Sequence, residues 1–477
     1  MSVRAAMIAN RISGILARLA WRAVGPISRD RRGNVAMMFA LTAVPLIALM
    51  GLGIDYYRDL SNKARLDAAA DAAALSAIST AQAYINANSA SQVDPTLTAN
   101  AIAAGKAQAV KAFAANAGTV ELAAPTTPQV GLTRPLNTQT FNATVSYSAQ
   151  ISTAFGGLVG VNTLNITGSS GSSLTMGKYL DFYLVLDVSG SMGIPTATNG
   201  QADLAALNTD DRSSYPTGCN FACHFAGYSG FTLTRSHLPD MALRVDSVGT
   251  AVQTLLQTAT QTETLTNQYR IGIYPFIVHA IQAAPLSANF TTANTVAGNF
   301  ANYLDQGTTN GGMGSGGTHF ENLWGDMQPY LQTVGTGASA SSPQPFIFLV
   351  TDGADNNQVY TPSSGSWTGS QPQLPSQTFC TNAKNAGYTV AVLYIPYVAI
   401  ANPNKNFAND EDDKVNAIVT SIPGVLGNSE PSIQGCASPG FFFTANPAAD
   451  SATAAAAIND AVQAMFVMAL QQARLTN

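Results

Sequence analysis

Three polar segments draw attention because of the residue types they bring and the apolar runs beside them. Asp187-Val188-Ser189-Gly190-Ser191 follows the run LDFYLVLD (180–187), and Thr351-Asp352-Gly353 closes PFIFLVTD (345–352). Between them lies a Gly-rich turn, Gly311-Gly312-Met313-Gly314-Ser315-Gly316-Gly317-Thr318, leading toward a helical segment. Asp187, Ser189, Ser191, Thr318 and Asp352 offer carboxylates and hydroxyls, and neither thiolate nor imidazole. An all-oxygen set of this kind suits a hard cation, Mg2+, Mn2+ or Ca2+, rather than zinc or copper. Two carboxylates roughly balance a divalent charge. Neutral hydroxyls leave the ion electron-poor and ready to accept an external carboxylate. D-x-S-x-S alone is a weak pattern; its place directly after a buried strand gives it weight.

The elements that must position these loops are legible in the apolar runs. LDFYLVLD, RIGIYPFIV (270–278), PFIFLVTD and TVAVLYIPY (389–397) read as buried strands. Helical stretches fall between and after them, near 240–258, 319–332, 376–386, 410–421 and 449–473. Buried strands alternating with helices predict an α/β architecture, with a mostly parallel sheet covered on both faces. In such sheets ligands bind beyond the carboxyl ends of the strands, which brings the three loops to one rim.

DVSGSM, GGTH and VTDG, in this order and spacing, resemble the von Willebrand factor A domain from roughly Tyr179 to Ala469. The resemblance implies a Rossmann-like α/β fold with a metal-ion-dependent adhesion site. Ser189, Ser191 and Thr318 would contact the ion directly, and Asp187 and Asp352 mainly through bound waters. The remaining position would take an acidic group from a protein partner. The sequence departs from the pattern at 193–237, an insertion between the first loop and the first helix that includes SYPTGCNFACHFAGYSG. It would lie beside the metal and either cover it or make the specific contact. Within it, Cys219 and Cys223 read as a local disulfide or, with His224, as a zinc cluster. Adjacent Cys223 and His224 can rarely both reach one ion. Cys380 and Cys436 are candidates for a second bridge.

Other chemistries fit less well. No Gly-Lys-Ser/Thr follows a Gly-rich loop, which excludes a P-loop. A serine hydrolase would need a base. Of His224, His237, His279 and His319 only His319 adjoins the candidate site, and it reads as structural or ligand-shaping. The acids 410–413 open a predicted helix and suit its N-terminus. We therefore expect a binding protein and not an enzyme.

The 477 residues are too many for one ordinary core. Only 10% are charged, and the formal net charge of −5 gives no reason to expect a nucleic-acid partner. The charge is uneven: Arg4, Arg11, Arg18, Arg22 and Arg29 occur before the first acid, Asp30. Residues 35–54, VAMMFALTAVPLIALMGLGI, carry no charge. About 20 residues at 1.5 Å each span roughly 30 Å, the thickness of the hydrocarbon layer. A cleaved secretory signal would have a shorter apolar run and a small-residue cleavage site. Asp55-Tyr56-Tyr57-Arg58 follows instead. The arginines ahead of the span orient the N-terminus to the cytoplasm and the remainder outside the inner membrane.

The expected organisation is a basic amphipathic segment at 1–30, a transmembrane helix with its extension at 33–80, an Ala-rich helix and β-rich region at 81–177, and the A domain at 178–477. RRGNVAMMFALTAVPLIALMGLGIDYYRDLSNKARLDAAADAAALSA resembles the leader helix of TadE/TadG-type proteins of Tad (Flp) pilus systems. The resemblance implies a TadG-like, membrane-anchored protein of Tad pilus assembly, with a pilus or envelope component as its partner in a Gram-negative cell. The alternative is an adhesin displayed on the pilus. Pilin-like relatives are cut after Gly, with Glu fifth in the mature chain. After Gly33 that position is Met38, so the anchor should be retained.

Overall fold

The computed structural model describes residues 34–88, 95–208, 229–396 and 433–475, with Gly218. Short breaks fall at 119, 121, 125, 136–138, 239, 362, 365 and 369–371. The expectations for 1–30, for the helix at 410–421 and for Cys219, Cys223 and His224 lie outside the described residues. Contacts divide the chain into two compact units.

Of the described residues, the first unit holds 34–80, 103–133 and 142–173. Helix α1 (Asn34–Asn88) begins with the uncharged run and contains Pro45. Val35, Phe39, Leu41 and Met50 on it are 75%, 72%, 79% and 69% exposed. That is how a helix looks when its solvent is lipid, and with a mean hydropathy of 2.3 in its apolar window it is long enough to cross a bilayer. Beyond Asp55 the small residues Ala69, Ala70, Ala73, Ala74 and Ala77 are fully buried. After helix α2 (Thr96–Ala117) come strands β1 (Gln129–Thr133), β2 (Thr140–Ser152) and β3 (Thr163–Thr175), which form an antiparallel-edged sheet in that order. The alternation seen in TFNATVSYSAQIST is the alternation of buried and open faces along β2.

The second unit carries a six-stranded sheet. Strand β4 (Leu180–Asp187) is followed by helices α3 (Gly200–Leu207), α4 (Ser229–Ser236) and α5 (Arg244–Thr262). Next come β5 (Tyr269–Phe276), β6 (Ala284–Ser287), α6 (Thr291–Gly298), α7 (Leu323–Met327) and β7 (Gln344–Thr351). Four two-residue strands, β8 (Asp355–Asn356), β9 (Tyr360–Thr361), β10 (Ser366–Trp367) and β11 (Pro372–Gln373), pair as β8 with β11 and β9 with β10, and precede α8 (Thr378–Asn385) and β12 (Thr389–Tyr394). The chain ends in α9 (Ile433–Cys436), β13 (Phe442–Thr444) and α10 (Ser451–Leu475).

The sheet order is β13-β12-β7-β4-β5-β6, parallel except for β6, which runs antiparallel to β5. This is the doubly wound α/β arrangement of a von Willebrand factor A domain. Every residue of β4 is buried, as a strand covered on both faces requires. Leu180, Phe182, Leu184 and Leu186 face a core shared with α5 and α10, whereas Tyr183 and Val185 face a core shared with α7 and α8. Asp181, the acid near the start of the strand, pairs with Arg270 beside it on β5 through bonds of 2.7 and 2.6 Å.

Three expectations need correction. The helix read at 319–332 is only α7, Leu323–Met327, because turns occupy both sides of it. The edge strands β6 and β13 were not foreseen. RIGIYPFIV leaves the ladder at Phe276, before Ile277 and Val278. Cys380 and Cys436 are bridged, with Cα atoms 5.0 Å apart, tying α8 to α9.

Helix α10 is apolar enough by composition to pass as a second membrane span. Its packing says otherwise. Ile458, Val462, Met465, Phe466 and Ala469 recur at helical spacing and lie in the core, and the Phe466 ring meets Phe182 at 5.2 Å and Tyr269 at 5.5 Å. Phe466→Ala should therefore lower stability by about 3–5 kcal/mol in urea unfolding of the detergent-solubilised chain. A negligible change would remove α10 from the core.

Candidate metal centre

Strands β4 and β7 are neighbours, with Leu186 opposite Val350. The next residues are Asp187 and Thr351, at the carboxyl edge where the chain's crossovers diverge to the two sides of the sheet. Thr351 Oγ1 donates to Asp187 Oδ2 at 2.7 Å, and the Ser189 N–H donates to Asp187 Oδ1 at 2.9 Å. Ser189 Oγ and Ser191 Oγ are 3.2 Å apart, and the Ser191 side chain hydrogen-bonds Asp352. Four of the five residues singled out from the sequence are thus joined in one cluster.

Thr318 reaches the same rim by a backbone route. Its N–H donates to Asn356 O at 2.8 Å, and the Asn356 N–H donates back at 3.1 Å. Gly317 permits the approach: at its φ of +63° a Cβ would stand 1.7 Å from Asn356 O.

Both carboxylates are fully buried, at 0% exposure. Burial, together with the nearby Asp352 charge, raises the pKa of Asp187. Burial also raises that of Asp352, against the opposing pull of Arg244. Two buried acids at adjoining strand ends disfavour a double negative charge unless a cation shares the space. Among the described residues no group of three or more His, Cys, Asp and Glu side chains is arranged to hold a metal. An ion at this rim would therefore depend on the mixed set of hydroxyls and two carboxylates. That set is the chemistry a hard cation takes, so the residues fit such an ion.

Two residues that build the site were not foreseen. Arg244, the first residue of α5, is 2% exposed; its guanidinium meets Asp352 Oδ2 at 3.3 Å and Pro396 O at 2.9 Å. A cation at a helix N-terminus opposes the helix dipole, so its place there follows from Asp352. The second, Asp305, organises the Gly-rich turn. Its carboxylate accepts from Ser315 Oγ at 2.5 Å and from the Gly316 and Gly307 N–H groups at 2.9 and 3.0 Å, while its own N–H donates to Val188 O at 2.9 Å. The turn is thereby fastened to the loop after β4. An acid just ahead of a glycine run was the available signal.

The insertion leaves and rejoins the fold at one place. Pro195 and Leu243 form an isolated bridge; the Thr196 N–H donates to Ala242 O at 2.8 Å and the Arg244 N–H to Ile194 O at 3.0 Å. Helix α5 thus starts beside the D-x-S-x-S loop despite the intervening sequence. His319, the one candidate base, is 3% exposed and turned aside. Its Nδ1 lies 2.8 Å from Glu321 Oε1 and its Nε2 lies 2.9 Å from Gln358 O.

Residues 33–89 match the Flp pilus-assembly TadE/G-like family. No curated protein matches the chain. Among solved structures, the chain is similar to the pilus adhesin SpaC of Lactobacillus rhamnosus GG, with 14% identity over 71% of this chain and 34% of that one, at a TM-score of 0.30. It is also similar to the vWF domain of the type V pili tip protein Mfa5 of Porphyromonas gingivalis, with 12% identity over 61% and 97% of the two chains, at a TM-score of 0.32. BatB, a conserved hypothetical protein of Bacteroides thetaiotaomicron, is 13% identical over 60% and 99%, at 0.31. The chain spans about a third of SpaC's length. The fold assignment rests on the strand order and directions given above.

Arg244→Met should destabilise the metal-free chain by about 3–5 kcal/mol, because it strands a buried carboxylate. Adding Asp352→Asn should recover part of that loss; a double variant as unstable as the sum of the two single variants would show no coupling.

Asp355 gives a pH dependence. Burial and the Glu321 charge push it up to about 7, against hydrogen bonds from Gln373 and Ser376. The folded chain keeps this proton up to that pH, whereas an unfolded aspartate releases it near 3.8. Folding takes up a proton between those values, so stability in chelator should fall as pH rises through them. Asp187 and Asp352 act in the same direction, so Asp355→Asn should flatten the decline in part. An unchanged slope would refute the assignment.

Proposed function

We propose that this chain, a TadG-like protein whose N-terminal helix belongs to the Flp pilus-assembly TadE/G-like family, is a membrane-anchored component of Tad pilus assembly that holds a protein partner through a divalent cation. One observation carries the proposal. Asp187 and Asp352, both buried, converge with Ser189 and Ser191 at the carboxyl rim of a parallel sheet.

Ser189, Ser191 and Thr318 would hold the ion, and Asp187 and Asp352 would support it through water. Mg2+, Mn2+ or Ca2+ would supply an electron-poor position for a carboxylate of the partner. The chain's own groups do the positioning. Thr351 and the Ser189 N–H fix both oxygens of Asp187. Arg244 offsets one negative charge, which leaves the rim less acidic than its two carboxylates alone would make it. His319 faces Glu321 and Gln358, which supports binding over catalysis. The apolar start of α1 supports retention in the inner membrane, with the N-terminus cytoplasmic and the A domain in the periplasm. The second reading, a pilus-displayed adhesin, differs in requiring release from that anchor, so shearing should leave this chain with the membrane fraction.

The test is isothermal titration of Mg2+ into the full-length chain in detergent. Asp187→Ala should abolish binding while circular dichroism stays native. Equal affinity in the variant would remove the site. A crosslinked pull-down with and without chelator should then recover a pilus or envelope protein only when the cation is present.

A further inference from the structure

The first unit carries an apolar feature that the pilus family and the metal site leave unused. The uncharged run of α1 ends at Asp55, yet Asp55 is only 5% exposed. Its carboxylate accepts three consecutive N–H groups from the loop between β2 and β3: Ala154 at 2.8 Å, Phe155 at 2.9 Å and Gly156 at 2.7 Å. That loop is a closed turn. The Thr153 N–H donates to Asn162 O at 3.0 Å and the Val161 N–H to Gly156 O at 2.9 Å, while Thr153 Oγ1 donates to Val161 O at 2.6 Å.

The turn reaches back along the helix into the apolar run. A Cβ at Gly51 would lie 2.6 Å from Phe155 Cβ. Gly51 precedes Asp55 by one helical turn, about 6 Å toward the bilayer centre. The tip presents apolar side chains outward, with Leu158 71% exposed, Val159 50%, Val161 40% and Phe155 38%. No charged residue occurs between Arg134 and Lys178.

We infer that the β2–β3 tip is a second membrane contact, with Leu158, Val159 and Val161 seated in the acyl–headgroup boundary of the bilayer that α1 crosses. Three features of the tip favour lipid as its occupant. The tip is held at the level where the span ends. Its exposed residues are apolar like those of the α1 run, and no charge occurs within 135–177. The N–H groups of Ala154, Phe155 and Gly156 are met by Asp55, and those of Leu158, Gly160 and Val161 by carbonyls of the turn itself, which lowers the cost of leaving water. Exposed apolar residues beside a span gain by entering the interface. The inference rests on α1 spanning the membrane and is independent of any metal at the sheet rim.

The experiment places a cysteine at Leu158, labels it with an NBD fluorophore, and reconstitutes the full-length chain in phosphatidylcholine–phosphatidylglycerol vesicles. Val159→Cys gives a second probe, should the first disturb the turn. Ser173→Cys serves as the aqueous control, about 33 Å along β3 from Thr163 at 3.3 Å per residue. The unsubstituted chain gives the labelling background. Emission from 158 and 159 should be blue-shifted, and quenched several-fold more strongly by acyl-brominated lipid than emission from 173. Water-like emission without quenching at both positions would overturn the inference. So would blue-shifted emission that brominated lipid leaves unquenched, because protein would then cover the tip.

Discussion

Two carboxylates buried at the ends of adjoining strands impose the condition around which the second unit is organised. Strand pairing puts Asp187 next to Thr351 and brings Asp352 into electrostatic reach. Water cannot solvate either acid, so the protein must supply partners. It does so with hydroxyls, with backbone N–H groups and with Arg244. Each partner comes from a different segment: the loop after β4, the end of β7 and the first residue of α5. The pairing of β4 with β7 and the start of α5 are both tied to this one electrostatic requirement. A divalent ion at the same place would answer it in another way, by drawing on oxygens already gathered there.

Much of this unit could be read in advance because its strands are covered on both faces. LDFYLVLD coincides with β4 residue for residue, since an unbroken apolar run of that length has few other uses. The edge strands were harder. Ala284–Ser287 and Phe442–Thr444 pair on one side only and are four and three residues long, too short to stand out as apolar runs. The helix at 319–332 was overread because Leu323, Met327 and Leu331 have helical spacing while turns interrupt the chain around them.

The chemistry was legible where it was local and hidden where it was not. D-x-S-x-S and T-D-G announce themselves as short motifs at strand ends. Arg244 and Asp305 act on residues far away in sequence, and no spacing rule links Arg244 to Asp352 or Asp305 to Gly316. The Cys380–Cys436 bridge, a candidate from the sequence, is formed in the fold.

The bridge between Pro195 and Leu243 has a further consequence. The two ends of the intervening segment meet at this stem, and Thr198 and Arg235 fasten it again, to Ala448 O and to the Asp246 carboxylate. Closing a longer loop on that stem adds little entropic cost, since the penalty grows only with the logarithm of length. Length added between the stem residues therefore leaves the start of α5 beside the D-x-S-x-S loop. Segment length and rim geometry become separable traits, one free to change while the other stays fixed.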